Sequence, residues 1–150
     1  MLTVREATIS DVDTLYDLII AIAKHHNQEQ FVVTTKDELI NSGFRDSPSF
    51  GVLLAENNGK VAGYCSYTWH YSIWLGSTYM NIDDVFVWDK FRGQGVGEKL
   101  MFKAKEVCLL KGAGRIKWEV EQNNQGAIKF YERLGANMNI KGLFRWNVTS

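Results

Sequence analysis

The sequence predicts an α/β fold: one mixed, mostly antiparallel central sheet with helices on both faces. Three observations predict it. Three β-type stretches follow one another across residues 50–56, 61–71 and 78–87, joined by short turn-forming segments. Apolar residues recur at helical spacing before and after that block. The last of the three stretches runs through a glycine-rich loop straight into a helix, the start of a β-α-β crossover.

The elements come in the order β-α-α-β-β-β-α-β-α-β. Residues 2–7 alternate as a short strand. Ser10 is the expected cap of the first helix, with Asp13 as its capping-box acid. Val12, Leu15, Leu18, Ile19 and Ile22 form its apolar face, and it fades at Lys24-His25-His26-Asn27. Thr35 opens a second, short helix with Glu38 at the capping-box position. Asn57-Asn58-Gly59-Lys60 is a hairpin turn. The helix over residues 95–110 buries Val96, Leu100, Ala104, Val107 and Cys108 and stops at Gly112. A strand is expected over 115–120. Asn123 or Asn124 caps a helix that ends at Gly135, and a last strand is expected over 143–148.

Composition narrows the class. A chain of 150 residues, 45% apolar and 23% charged, is the size and make-up of one globular domain, taken as 1–150. With 17 basic and 17 acidic residues the formal charge is zero, which argues against a broad nucleic-acid surface. No apolar run approaches the ~20 residues of a membrane span. The N-terminus lacks a signal-peptide pattern, so the expected location is cytoplasmic. Cys65 and Cys108 read as buried free thiols. The scattered histidines and cysteines do not compose a metal site.

The chemistry concentrates at Asp84-Val85-Phe86-Val87 and Arg92-Gly93-Gln94-Gly95-Val96-Gly97-Glu98. A strand running through glycines into a helix N-terminus can hold phosphate. Backbone N–H groups approach the anion closely, and the helix dipole has its positive end there. Arg92 adds a cation of forked geometry. The spacing Gly93-x-Gly95-x-Gly97 is neither G-x-G-x-x-G nor a nucleoside-triphosphate loop. The plainer reading is a glycine-rich turn before an ordinary helix.

The segment resembles R-x-x-G-x-G, the pyrophosphate loop of the GCN5-related N-acetyltransferases. Residues 124–136, with Asn124, Ala127, Phe130, Tyr131 and Gly135, resemble that family's second signature. Nearly the whole chain is similar to the diamine (spermidine/spermine) N-acetyltransferases, notably Trp74-Leu75-Gly76, Asp83-Asp84-Val85-Phe86-Val87 and Gly142-Leu143-Phe144-Arg145. The resemblance implies acetyl-coenzyme A as co-substrate and direct attack by a small-molecule primary amine in a ternary complex. It implies that the loop, Asn124 and Tyr131 contact the donor, that Val85–Val87 pairs with the pantetheine arm, and that two copies form a homodimer through C-terminal segments. A backbone N–H of that strand would face the thioester carbonyl.

Amine acetylation also needs a proton acceptor and a proton donor. Tyr131, a phenol neutral at pH 7, is the candidate acid for the leaving thiolate. Without the resemblance it reads as a core aromatic at helical spacing. Asp83 and Asp84 are the candidate bases at the substrate end of the strand. They point to opposite faces unless a bulge intervenes. Asp83 stands where the diamine enzymes have a glutamate, so action through a water is expected. Trp74 is the candidate aromatic contact for an aliphatic amine, and otherwise a loop aromatic.

One departure from the pattern bears on the acceptor. The diamine enzymes bring a Tyr-Glu pair to the polyamine at the end of the first helix. His25 and His26 stand there instead, with His26 the candidate substrate contact and Glu29 the nearest acid. An imidazole is a poor partner for ammonium, so another small amine or a protein amine fits as well. A non-catalytic acetyl-coenzyme A binding module remains a further reading, weakened by Tyr131. A dinucleotide site using Glu119 or Glu121 would need the loop after the first strand of a parallel sheet, and several antiparallel strands precede it.

Overall fold

A computed structural model describes residues 1–149. The chain divides into two compact units, Met1–Trp118 and Glu119–Ser150. The first unit holds β1 (Leu2–Glu6), α1 (Val12–His25), α2 (Lys36–Gly43), β2 (Gly51–Asn57), β3 (Lys60–Ser72), β4 (Ser77–Val87), α3 (Val96–Lys111) and β5 (Ile116–Lys117). Its five strands lie in sequence order β1-β2-β3-β4-β5. The first three pairings are antiparallel, and β4 with β5 is parallel. This is the expected mixed sheet.

Strand alternation sorts the side chains into two layers. Leu15 and Leu18 of α1 and Leu39 of α2 pack on Val52, Leu54, Tyr64 and Phe86. The alternate residues Leu53, Ala55 and Cys65 are fully buried, and α3 crosses β1 to β4 on that side. Between the layers β3 and β4 come unusually close at Gly63. A Cβ there would stand 2.4 Å from the Phe86 carbonyl oxygen and 3.1 Å from the Val87 Cα. Both are backbone atoms and cannot rotate away. Gly63→Ala is therefore expected to destabilise the protein by about 1–3 kcal/mol. A lower urea midpoint at unchanged slope would show it; an unchanged midpoint would mean that the strands part without cost.

The start of α1 differs from expectation. Thr8, not Ser10, heads the first turn: a 3-10 turn over Ile9–Asp11 precedes the helix, and the Thr8 N–H donates to Asp11 Oδ2 at 2.7 Å. The physical reason is Arg5. Its guanidinium donates to both Asp11 oxygens, at 2.8 and 2.9 Å, and also to Glu56, which fixes Asp11 rather than Asp13 as the acid of the turn. Hydrogen bonds from Arg5 hold the Asp11 carboxyl down to about 2, against an ordinary 3.8. A folded-state pKa below the unfolded one gives stability that is present above ~4 and is lost as pH falls toward 2. Arg5 is 43% exposed and solvent screens the pair, so the expected contribution is about 1 kcal/mol. Denaturant midpoints of wild type and Asp11→Asn should converge between pH 4 and pH 2. A gap that persists at pH 2 would assign the difference to something other than this charge.

The second unit holds α4 (Gln125–Arg133). Asn124 is its cap, accepting at Oδ1 from the Ala127 N–H at 3.2 Å. The expected strand over 115–120 shrinks to Ile116–Lys117, and no residue of 137–149 is in a strand. The expected last strand, 143–148, is thus corrected. A strand exists only where its backbone has a ladder partner, and alternation alone does not supply one. Leu143, Phe144, Trp146 and Val148 are all exposed, Phe144 at 99%.

Candidate active site

The site in the first unit is built on β4. Its pairing with β3 runs Cys65↔Val85, Ser66↔Asp84 and then Tyr67↔Ile82, which leaves Asp83 as an extra residue. This bulge answers the question of facing. Asp84 Oδ2 accepts from the Tyr64 hydroxyl at 3.1 Å and from the Ser66 hydroxyl at 3.3 Å. Asp83 Oδ1 accepts from Asn81 Nδ2 at 3.0 Å, and Asn81 stands opposite Thr68. Tyr64, Ser66 and Thr68 share one face of β3, so both carboxylates lie on that face. It is the face covered by α1 at Tyr64 and Phe86, and it opens to solvent toward His70.

The two carboxylates have different surroundings. Asp84 is tied to two hydroxyls. Asp83 has a pKa raised above the ordinary carboxylate value, first by partial desolvation and then by the neighbouring Asp84 charge. A carboxylate made more basic, with one side to solvent, is the better proton acceptor. Burial pushes the Tyr64 phenol far above the ordinary tyrosine value, so it stays protonated and donates to Asp84.

Beyond Asp83 the outer edge of β4 is open. β5 pairs only with Met80 and Asn81, so the edge from Ile82 to Val87 has no strand partner among the described residues. Backbone groups there can take an extended ligand as a strand would. The edge ends at the glycine loop. Gly93 and Gly95 have φ of +74° and +81°, and a Cβ on either would meet no atom within 4 Å. The loop therefore needs glycine for its conformation and leaves space above itself. Gly95 caps α3, with Val96 buried beneath and Gly97 and Glu98 in the first turn. This cradle fits a phosphate group.

Arg92 is held rather than free. Its Nε donates to the Val87 carbonyl at 3.0 Å, its Nη1 pairs with Asp89 at 2.9 Å, and its guanidinium lies over the Phe86 ring at 5.7 Å. Gln94 braces the loop, donating to the Lys90 carbonyl at 3.1 Å and accepting from Asn57 at 3.3 Å. Beside the loop lies an open cleft of about 750 Å³. Phe86, Trp88 and Val61 form its apolar wall, and Lys24, His25, Lys90 and Arg92 line it with cationic or titratable groups.

Residues 13–136 match the sequence model of the Acetyltransferase (GNAT) family. The chain is a GNAT acetyltransferase. It is 32% identical over 141 residues to thialysine N-epsilon-acetyltransferase of Mus musculus, a match covering 89% of this chain and 82% of that one. It is 26% identical over 140 residues to spermidine/spermine N(1)-acetyltransferase-like protein 1 of Homo sapiens, covering 89% of this chain and 20% of that longer protein. Its fold superposes with a TM-score of 0.83 on an aminoglycoside acetyltransferase, meta-AAC0020, from an uncultured soil metagenomic sample, at 16% identity and with 99% and 97% of the two chains covered. The GNAT family transfers acetyl groups from acetyl-coenzyme A, and acetyl transfer to an amine is the activity of this chain.

The structure brings some expected site residues together and separates others. Asp83, Asp84, Val85–Val87 and the loop from Arg92 to Glu98 are continuous. His25 lies 6.4 Å from the Phe86 ring, with His26 against it at 5.2 Å and exposed. Trp74 is apart, 99% exposed in the turn between Ser72 and Ser77. Six residue steps of strand lead from Ser77 to Asp83, ~20 Å at strand rise. Asn124 and Tyr131 belong to the second unit, where the Asn124 oxygen is engaged in capping and Tyr131 is half-buried.

Sequence reasoning missed the partners of the aspartates. Tyr64 and Ser66, which hold Asp84, stand at period two in an otherwise apolar stretch, and that pattern was available. It also missed Lys24 and Lys90, whose meaning arises only when α1 and the loop after β4 meet.

Proposed function

We propose that the chain moves the acetyl group of acetyl-coenzyme A to the side-chain amine of a diamino acid, by direct attack in a ternary complex. The observation carrying the reading is the run of Asp83, Asp84 and the open β4 edge into the glycine loop. Here the loop from Gly93 to Glu98, with Arg92, holds the pyrophosphate. Val85, Phe86 and Val87 align the pantetheine arm by backbone pairing, and one of their N–H groups stabilises the oxyanion. Asp83 takes the ammonium proton, through a water where the reach demands it. Tyr131 returns a proton to the thiolate.

The acceptor is chosen on charge. The cleft beside Phe86 is lined by Lys24, Lys90 and Arg92, and its one acid, Asp89, pairs with Arg92. Such a wall repels a polyammonium and welcomes a carboxylate. Asp84 and Phe86 are two residues apart on one face, ~7 Å, the reach of an extended amino-acid side chain. The thialysine enzyme among the relatives supports this; the spermidine/spermine name supports a polyamine as the second reading. A cytoplasmic homodimer completes the proposal. It would cover Phe144 and Trp146 and give Trp74 a route to a neighbour's acceptor; light scattering tests it.

The functional test is coenzyme A release with thialysine, lysine and ornithine against cadaverine, putrescine and spermidine. Amino-acid acceptors should be preferred, and Lys24→Gln should raise their KM about tenfold while holding or lowering that of the diamines. Preference for spermidine, unaffected by Lys24→Gln, would replace this acceptor by the polyamine.

A further inference from the structure

Tyr64 brings a hydroxyl into an otherwise apolar cluster. The residue is fully buried and packs with Leu15, Leu18, Leu54 and Phe86. A phenylalanine would fill that space as well, and a buried hydroxyl costs free energy unless it is bonded. The bond it makes is to the site: it donates to Asp84 Oδ2 at 3.1 Å. Ser66, directly opposite Asp84 on β3, donates to the same oxygen at 3.3 Å. Two donors use both lone pairs of Oδ2. Oδ1 has no hydrogen bond or ion pair among the described residues. One oxygen of the carboxylate is thus fixed from the core, and the other is left unspent beside Asp83. Asp84 is half-buried, and a partly desolvated carboxylate draws a cationic donor more strongly than one in open water.

We propose that Tyr64 and Ser66 are positioning residues for the acceptor: they lock Asp84 by Oδ2, so that Oδ1 holds the acceptor's ammonium while Asp83 takes its proton. The proposal rests on the reading that the amine is bound and deprotonated at this pair of aspartates. The division of labour follows from their surroundings. Asp84 is clamped by two hydroxyls from the neighbouring strand, one of them on a ring held by the core. Asp83 stands exposed on the bulge, held through Oδ1 by Asn81 of its own strand. The clamped carboxylate suits fixing a charge in place, and the exposed one suits receiving a proton. The hydroxyls themselves take part in no covalent step. Their effect belongs to the KM of the amine, because the ammonium contact is made before the chemistry and neither hydroxyl touches acetyl-coenzyme A.

The test is a double-mutant cycle on Tyr64→Phe and Asp84→Ala, with Ser66→Ala beside it, using whichever of thialysine and spermidine is turned over faster. Tyr64→Phe and Ser66→Ala should each raise the amine KM about fivefold, with kcat and the acetyl-coenzyme A KM within about twofold. Asp84→Ala should raise the amine KM about thirtyfold. Adding Tyr64→Phe to Asp84→Ala should raise it no further, since the hydroxyl acts only through that carboxylate. Ser66→Thr, which keeps the hydroxyl, should retain the wild-type KM. A loosened core would instead depress kcat and raise both KM values, and that pattern would overturn the proposal. So would an unchanged amine KM in Tyr64→Phe, or a Tyr64→Phe effect that multiplies undiminished onto Asp84→Ala. Asp84→Ala separates the two levels. If it raises the amine KM while Tyr64→Phe does not, the positioning role fails alone; if it leaves both the amine KM and kcat at wild-type values, the reading of the aspartate pair as the amine site fails first.

Discussion

Asp83→Asn is expected to lower kcat/KM for the amine by about 10³-fold at pH 7, and the gap should close as pH approaches 10. The size follows from the acceptor. An alkylammonium with a pKa of ~10.4 is neutral in roughly one molecule in several thousand at pH 7. Without a base at the site, only that fraction reacts. With one, the ammonium binds and is deprotonated in place. Near pH 10 the solution does the work of the carboxylate. A folding or packing defect would lower the rate equally at every pH, so the pH dependence separates the two explanations. A wild-type profile in the variant would pass the role to Asp84 or to solvent.

Stability gives an independent check. The folded-state pKa of Asp83 is raised, by desolvation first and by Asp84 second. A raised carboxylate adds stability in its protonated form, below the ordinary carboxylate value, and that is lost as pH rises through the folded pKa. At pH 7 the Asp83 charge therefore opposes folding. Asp83→Asn should melt no lower than wild type at neutral pH, while losing most of its activity. Loss of activity with stability retained marks a residue kept for chemistry.

The layers of the fold were legible because each strand and helix carried its own period and punctuation. The glycine loop was legible because positive φ and an open anion cradle leave a sequence trace at Gly93 and Gly95. What sequence could not supply was pairing. Whether Asp83 and Asp84 share a face depends on one extra residue against β3, which no local pattern records. The 143–148 segment alternates as a strand does, but alternation does not name a ladder partner. Ser10 looked like a cap because the competing hold of Arg5 on Asp11 comes from another element. The cationic cleft likewise joins Lys24 to Lys90 across 65 positions of sequence.

Tyr131→Phe should reduce kcat by about 10²–10⁴-fold, with acetyl-coenzyme A affinity unchanged. The substitution removes one oxygen and leaves the ring, so packing within α4, where the Phe130 and Tyr131 ring centroids are 5.2 Å apart, is preserved. Collapse of the tetrahedral adduct expels a thiolate, and a hydroxyl able to protonate it lowers that barrier without contributing to ground-state binding. The signature is a fall in kcat and kcat/KM together, with donor affinity by calorimetry and melting temperature both unmoved. Its pH behaviour should also differ from that of Asp83→Asn. Raising the pH from 7 to about 9 rescues a missing base but not a missing acid. The Tyr131→Phe deficit should therefore hold over that range and narrow only near ~10, where a phenol ionises in the wild type as well. A variant with wild-type kcat would reduce Tyr131 to a packing aromatic of α4 and leave protonation of the thiolate to water.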